Sequence, residues 1–286
     1  MTEPVTSALR AATGRLGATS DTARLDAEVL MAHALGCIRS ELLLRHMGMA
    51  APERFAALVE RRERHEPVAY IVGAQEFYGL DLRVTPAVLI PRGDSEVLVD
   101  AALGAKPDAA RVLDCGTGSG ALLIAALANL PGARGIGIDR SARALTVAAG
   151  NAAALGLAGR SSFIERDWTR PGWGAGLGEF DLVLANPPYV EDTAALAPAV
   201  REHEPAGALF SGADGLDDYR VLIPRLPALL APGGAALVEI GAAQAAAVTA
   251  IARAAGLAAR LHRDLAGRPR VLELGPEFSA SGTKRG

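Results

Sequence analysis

Four consecutive residues, Asn186, Pro187, Pro188 and Tyr189, combine groups that can hold a flat, weakly nucleophilic molecule in place. Each proline fixes its backbone φ angle and lacks an N–H group, so the neighbouring carbonyl groups have few local donors. The Asn186 side chain adds a carbonyl oxygen and an amide donor, and Tyr189 offers a flat ring. The motif follows a predicted strand over residues 181–185, and ligands of open α/β sheets bind where strands end.

This motif suits an acceptor that is planar and carries an NH2 group with a delocalised lone pair, as in an amide. The side-chain oxygen of Asn186 and the carbonyl of Pro187 would each accept one hydrogen bond from that NH2 group and align its nitrogen. The same oxygens would stabilise positive charge developing on the nitrogen during group transfer. We therefore predict catalytic roles for Asn186, Pro187 and Tyr189, and substrate binding by all four residues of the motif, Pro188 included.

A glycine-rich turn joins a predicted strand, residues 111–114, to a predicted helix, residues 121–130; its members are Gly116, Thr117, Gly118, Ser119 and Gly120. Glycine permits a tight turn and close approach of a ligand to the backbone. The helix N-terminus behind the turn offers unpaired N–H groups. An acidic residue that could bind ribose hydroxyls about 20 positions further on is present as Asp139. Both NAD and S-adenosylmethionine (AdoMet) contain such a ribose, so these residues leave either cofactor open.

Another predicted strand is followed by Asp167 and Trp168. A carboxylate at this point could accept a hydrogen bond from an adenine amino group, and an indole could stack on the adenine ring. Ordinary core packing is the alternative for Trp168. We predict that both residues contribute to cofactor binding.

Strands and helices alternate from about residue 96 to residue 275, with predicted strands at residues 111–114, 135–139, 162–165, 181–185, 235–240 and 270–274. This alternation predicts an α/β fold with a doubly wound, Rossmann-like sheet. We expect residues 1–75 to form a helical domain and residues 76–90 a β-hairpin linker. Residues 91–276 would form the catalytic domain and residues 277–286 a flexible tail.

The chain has 286 residues, half of them hydrophobic, and a formal net charge of −3. The negative charge disfavours a nucleic-acid clamp, which needs a surplus of Lys and Arg. The two cysteines, Cys37 and Cys115, do not make a disulfide framework, and the five histidines lack metal-ligand spacing, so we expect no metal site. No segment approaches the roughly 18 apolar residues of a membrane span. We expect a monomeric, cytoplasmic protein without membrane or direct nucleic-acid contact.

Over nearly its whole length the chain resembles the release factor glutamine methyltransferases, which methylate N5 of the glutamine in a Gly-Gly-Gln motif. Besides the two motifs above, the resemblance lies in residues 66–71, 76–78, 89–96, 204–205, 214–216, 239–241 and 264–267. Where the family usually has Arg-Pro-x-Thr-Glu, this chain has Arg92, Gly93, Asp94, Ser95 and Glu96. Glycine and serine at the second and fourth positions are therefore departures from the family pattern.

The resemblance implies that AdoMet is the cofactor and that peptide chain release factors are the protein substrates. The glycine-rich turn, residues 116–120, would line AdoMet, Asp139 would hold its ribose and Trp168 its adenine. Asn186 would lie beside its methyl group. Residues 1–75 would dock the release factor, and residues 91–276 would form an AdoMet-dependent methyltransferase domain.

Three other functions remain open at this point. A glutamine methyltransferase that acts on a ribosomal protein would share every motif. An N6-adenine DNA methyltransferase could use the same tetrapeptide, but it would need a basic duplex-binding surface. An NAD(P) oxidoreductase would account for the glycines and Asp139 while leaving the tetrapeptide at Asn186 unused.

Overall fold

The computed structural model describes residues 3–276; the predicted flexible tail, residues 277–286, lies outside them. The helices in chain order are α1 (Val5–Leu16), α2 (Ala23–Leu35), α3 (Arg39–Glu41), α4 (Arg54–Glu63), α5 (Val68–Val72), α6 (Glu96–Ala105), α7 (Ala121–Asn129), α8 (Ala142–Ala154), α9 (Pro198–His203), α10 (Asp217–Leu222) and α11 (Ala245–Ala254). Segments of π or 3-10 helix lie at Leu42–His46, Gly93–Ser95, Ala206–Ala208 and Ile223–Ala228. None of the described helices combines the length and apolar character needed to cross a membrane.

The strands are β1 (Ala74–Phe77), β2 (Leu80–Arg83), β3 (Arg111–Cys115), β4 (Arg134–Asp139), β5 (Ser161–Glu165), β6 (Phe180–Ala185), β7 (Leu230–Glu239), β8 (Ala258–Arg263) and β9 (Pro269–Gly275). Strands β1 and β2 pair with each other, and the other strands form one sheet in the order β5-β4-β3-β6-β7-β9-β8. The strands from β5 to β7 in that order are parallel. Strand β9 is antiparallel to both β7 and β8. The predicted doubly wound α/β fold is confirmed.

The chain divides into two compact units, the first of which comprises the described residues up to Ala74 together with Leu196–Glu204. Its core is made by helices that present apolar side chains at helical spacing, as Val5, Leu9 and Leu16 do on α1. A buried carboxylate, Asp26, accepts hydrogen bonds from Ser20 Oγ at 2.8 Å and from Arg62 Nε at 2.7 Å. Membership of residues 196–204 in this unit was not anticipated from the sequence, and the predicted domain bounds stay predictions.

The second unit, which begins at Gln75, contains the seven-stranded sheet and buries both of its faces. Val112 and Leu182 belong to the core on one face, whereas Leu113 and Val183 belong to the core on the other. Parallel strands covered on both sides need apolar residues at successive positions, and this explains the continuous apolar runs in β3 and β6.

Strands β1 and β2 form a β-hairpin over residues 74–83, which overlaps the hairpin linker predicted at residues 76–90. Tyr78 and Gly79 form its turn with positive φ angles of 53° and 74°. The buried side chain of Asn151 on α8 fixes the end of the hairpin, because its Oδ1 accepts from Arg83 N at 2.8 Å. Its Nδ2 donates to Ser119 O at 2.8 Å. One amide group thus connects the hairpin with the glycine-rich turn.

Strand β8 was not predicted from the sequence. It lies at the edge of the sheet and carries polar residues that contact its single neighbour. Arg260 and His262 contact Glu273 Oε2 on β9 at 3.3 Å and 2.9 Å. Cross-strand polar contacts therefore replace the apolar alternation by which a strand is usually recognised.

Candidate active site

The position of the site follows from the strand order of the second unit. From β3 the chain proceeds to β4 and β5 on one side of the sheet, and then returns to β6 on the other side. A crevice forms where the order reverses, at the carboxyl ends of β3 and β6. Cys115 pairs with Ala185 across these two strands. The next residues along each strand, Gly116 and Asn186, are therefore brought together and line the same cleft.

The glycine-rich turn has a conformation that requires glycine. Gly116, Gly118 and Gly120 have φ angles of 75°, 54° and 84°, in the left-handed region. Gly116 N and Thr117 N donate to Ile138 O at 2.8 Å and 2.9 Å, so the end of β4 holds the start of the turn. Gly120 N then donates to Thr117 O at 2.7 Å, and α7 begins directly after it.

A buried carboxyl group, Asp114, lies beneath the turn. Its Oδ2 accepts a hydrogen bond from Thr117 Oγ1 at 2.6 Å, whereas its Oδ1 has no partner among the described residues. Burial raises the pKa of Asp114 to about 7, the Thr117 hydrogen bond opposes this shift, and the charge of Asp139 adds to it. This group supports the turn from the protein interior.

The carboxylate of Asp139, at the end of β4, binds two backbone N–H groups around the cleft. Its Oδ2 accepts from Gly118 N at 3.0 Å, and its Oδ1 accepts from Ser141 N at 2.9 Å. Each carboxylate oxygen can accept more than one hydrogen bond. Asp139 therefore retains acceptor capacity for a ligand with two neighbouring hydroxyl groups.

Asp167 and Trp168 lie at the rim of the cleft after β5. Hydrogen bonding from Thr169 lowers the pKa of Asp167, so this carboxyl group is ionised near neutral pH. The Trp168 ring packs against Gly116, since a Cβ built there would lie 2.8 Å from the ring. The indole Nε1 donates to Asp218 Oδ1 at 2.7 Å. Trp168 is thus held by a hydrogen bond as well as by packing.

The tetrapeptide leaves the end of β6 and is supported from β7 and the loop that follows it. Tyr189 Oη lies 3.5 Å from Glu239 Oε1, and burial raises the pKa of Tyr189 to about 12. The main-chain carbonyl of Tyr189 accepts from Gln244 Nε2 at 3.1 Å. Asn186 Nδ2 is 3.4 Å from Ser95 Oγ, a long hydrogen bond.

Nine of the predicted site residues line one cleft: Gly116, Thr117, Gly118, Ser119, Asp139, Asp167, Trp168, Asn186 and Pro188. Gly120, Pro187 and Tyr189 lie beside them in the chain but are absent from the lining. The lining also includes residues that sequence reasoning missed, among them Arg140, Arg166 and Asp218. Arg140 donates to Gly207 O at 2.7 Å and thereby connects two segments of the wall. Asp218 reaches the cleft from a distant helix, and no local sequence signal marked it.

His203, for which the sequence favours a structural role, belongs to the first unit. Its Nε2 lies 3.1 Å from Arg64 O. This contact gives His203 a structural role within that unit.

Two family comparisons cover most of the chain. Residues 7–73 match the family described as PrmC N-terminal domain, and residues 106–247 match the family described as Methyltransferase domain. The chain is 46% identical over 272 residues to a release factor glutamine methyltransferase of Cereibacter sphaeroides, covering 93% of this chain and 96% of the relative. It is 43% identical over 281 residues to a release factor glutamine methyltransferase of Caulobacter vibrioides, covering 95% and 96% of the two chains.

Among solved structures, an O-methyltransferase family protein from Burkholderia thailandensis aligns with a TM-score of 0.51 at 16% identity. The alignment covers 92% of this chain and 98% of that protein. At this level of identity the likeness supports the fold alone.

The contact between Gly116 and Trp168 predicts unequal effects of two alanine substitutions in the glycine-rich turn. Alanine at either Gly116 or Gly118 is strained by about 1–2 kcal/mol because of the positive φ angle. Only Gly116→Ala also collides with the Trp168 ring, because the atom nearest to a Cβ at Gly118 is 3.9 Å away. Gly116→Ala should therefore lower the free energy of unfolding more and shift the tryptophan emission. Urea titration monitored by fluorescence would measure both, and equal effects of the two variants would contradict the described packing.

Proposed function

Since the chain belongs to the release factor glutamine methyltransferases, we propose that it transfers the methyl group of AdoMet to N5 of the glutamine in a release factor's Gly-Gly-Gln motif. It is an AdoMet-dependent methyltransferase. The pairing of Cys115 with Ala185 supports the assignment of the site, because it brings the glycine-rich turn and Asn186 into one cleft. A cofactor site and an acceptor site that share a wall are what direct transfer between two bound molecules requires.

The residues of the cleft fit AdoMet. A Cβ at Gly118 would stand in open space, with Gly116 O at 3.9 Å as its nearest neighbour, so the absence of a side chain leaves room for a ligand. Asp139 would hold the ribose hydroxyls through its remaining acceptor capacity. Asp167 and Trp168 would hold the adenine, and the turn at residues 116–120 would line the methionine part. AdoMet, when bound, supplies an electrophilic methyl group on a sulfonium leaving group.

Asn186 and Pro187 would position the acceptor. An amide nitrogen is a poor nucleophile because its lone pair is delocalised into the carbonyl group. The Asn186 Oδ1 and the Pro187 carbonyl would hold its NH2 group by two hydrogen bonds and stabilise positive charge on the nitrogen. The ring of Tyr189 would lie against the flat amide. No side chain needs to remove a proton before transfer, so Asn186 acts by orientation and electrostatics.

Purified enzyme with AdoMet labelled in its methyl group tests this function directly. We expect label on a release factor and none on the same protein with its Gly-Gly-Gln glutamine changed to alanine. Ribosomal proteins and duplex DNA in parallel reactions separate the alternatives. Label on a ribosomal protein alone would change the assigned substrate, and label on DNA would overturn the assignment to a protein glutamine.

The monomeric state, the cytoplasmic location and the lack of direct nucleic-acid or membrane contact stay predictions.

The role of Asn186 predicts a specific kinetic defect. Asn186→Ala should lower kcat at least about 100-fold, because loss of a transition-state hydrogen bond costs on the order of 3 kcal/mol. Affinity for AdoMet, measured by calorimetry, should stay within about threefold of wild type, since the substitution removes no acceptor for the ribose. Asn129→Ala, an exposed substitution at the end of α7, serves as the matched control. Near-normal turnover by Asn186→Ala would rule out this role.

The first unit is proposed to dock the release factor. Its exposed large apolar side chains include Ile38 at 65% and Leu44 at 82% exposure, and exposed apolar surface favours protein contacts. Leu44→Ser should raise KM for the folded release factor and leave methylation of a Gly-Gly-Gln peptide unchanged. Leu265→Ser removes an exposed leucine of the second unit and is the control. An equal effect of Leu44→Ser on protein and peptide would argue against docking at this surface.

A further inference from the structure

A polar group with no assigned role, Glu239, is buried behind the tetrapeptide. Ala185 pairs with Val238, so the residues that follow on these parallel strands, Asn186 and Glu239, are neighbours. Glu239 is only 2% exposed, and Ser95 beside it is 4% exposed. A buried carboxylate is costly unless its hydrogen bonds and charges are satisfied. Its presence at this point therefore calls for a structural or functional reason.

The charge of Glu239 is partly compensated. Burial raises the pKa of Glu239 to about 6, and hydrogen bonding from Ser95 and the positive charge of Arg270 oppose the shift. Arg270 itself lies between two other carboxylates, with Asp94 Oδ2 at 2.7 Å and Asp264 Oδ2 at 3.4 Å. Glu239 is therefore largely ionised at neutral pH and acts as a hydrogen-bond acceptor only.

Ser95 lies between Asn186 and Glu239 and hydrogen-bonds both, so the direction of each bond can be assigned. Asn186 Nδ2 donates to Ser95 Oγ, so the Ser95 hydroxyl proton is free to point elsewhere. The Glu239 carboxylate accepts a hydrogen bond from the Ser95 hydroxyl, and Tyr189 Oη approaches its Oε1 at 3.5 Å. An ionised Glu239 thus makes Ser95 a donor toward the carboxylate and an acceptor toward Asn186.

Resting on the proposed function, we propose that Ser95 and Glu239 are positioning residues that fix the orientation of the Asn186 amide. With Nδ2 held by Ser95, Oδ1 faces the cleft and can accept a hydrogen bond from the substrate NH2 group. A rotation of the amide by half a turn would exchange Oδ1 with Nδ2. The Nδ2 donor would then face the NH2 donor group of the substrate, and no hydrogen bond could form between them. The hydroxyl is the group that matters at position 95, so serine can stand where the family usually has threonine.

Kinetics of variants at Ser95 test this assignment. Ser95→Ala should lower kcat for release factor methylation about tenfold or more, the factor expected when one hydrogen bond no longer fixes a catalytic group. Ser95→Thr retains the hydroxyl and should stay within about threefold of wild type. Affinity for AdoMet should be unchanged in both. Ser161→Ala is the matched control, because it removes a hydroxyl that bonds Leu157 O at the opposite end of the sheet.

NMR of side-chain amides reports on the hydrogen bonding of Asn186 independently of enzymatic turnover. The chain has three asparagines, Asn129, Asn151 and Asn186, so a sample labelled with 15N-asparagine gives three pairs of amide signals. The pair that is absent from Asn186→Ala belongs to the active site. In Ser95→Ala its protons should exchange faster with water, and in Ser95→Thr they should return toward wild type. The signals of Asn129 and Asn151 should not change.

A reduced kcat in Ser95→Ala, rescue by Ser95→Thr and altered Asn186 signals would together support the proposal. Wild-type kcat in Ser95→Ala, or Asn186 signals identical to wild type, would overturn it. Should Ser95→Ala lower the melting temperature and fail to fold, Ser95→Cys keeps the volume with only weak hydrogen bonding and carries the same prediction. Failure of the wild-type enzyme to label any release factor would instead refute the proposed function.

Discussion

The pairing of β3 with β6 is the constraint on which the rest of the site depends. Their register places Cys115 opposite Ala185, so the glycine-rich turn and the tetrapeptide begin side by side. Cofactor and acceptor motifs that are about 70 residues apart in the chain thereby share one cleft. The buried apolar runs of both strands fix this register, because a slip by one residue would turn their side chains to the opposite faces.

Three carboxyl groups around the cleft each support a different part of the site. Asp114 supports the turn through Thr117, and Asp139 binds backbone N–H groups on both sides of the β4 end. Glu239 lies behind the tetrapeptide, where the charge of Arg270 reduces the cost of its burial. These carboxyl groups are held within strands or at strand ends, where backbone hydrogen bonds of the sheet fix the main chain. Orientation of a weak nucleophile requires this kind of support more than it requires a strong base.

Much of the fold could be predicted from the sequence because the elements have clear local patterns. The apolar strands and the glycine turn were recognisable, and the alternation of strands and helices indicated the doubly wound sheet. Strand β8 was not predicted, since its Arg260 and His262 side chains contact Glu273 on β9 and no apolar alternation marks it. The joining of residues 196–204 to the first unit likewise depends on packing between segments distant in the chain.

The residues of the candidate site could likewise be predicted only in part. Residues that follow strands were predictable, because the ends of parallel strands meet at one edge of the sheet. Asp218 and Arg140 were not, since their contacts with Trp168 and Gly207 arise from tertiary structure alone. Ser95 was noticed only as a departure from a family pattern. Its contact with Asn186 joins residues 91 positions apart, which no local motif can express.

A crystal structure with S-adenosylhomocysteine and a Gly-Gly-Gln peptide would show directly how the acceptor amide is held. The glutamine NH2 group is expected within hydrogen-bond distance of both Asn186 Oδ1 and the Pro187 carbonyl oxygen. The cofactor product should lie along the glycine-rich turn, with its ribose on Asp139. A glutamine bound elsewhere, or one that contacts the Asn186 amide nitrogen in place of its oxygen, would contradict the proposed role of Asn186.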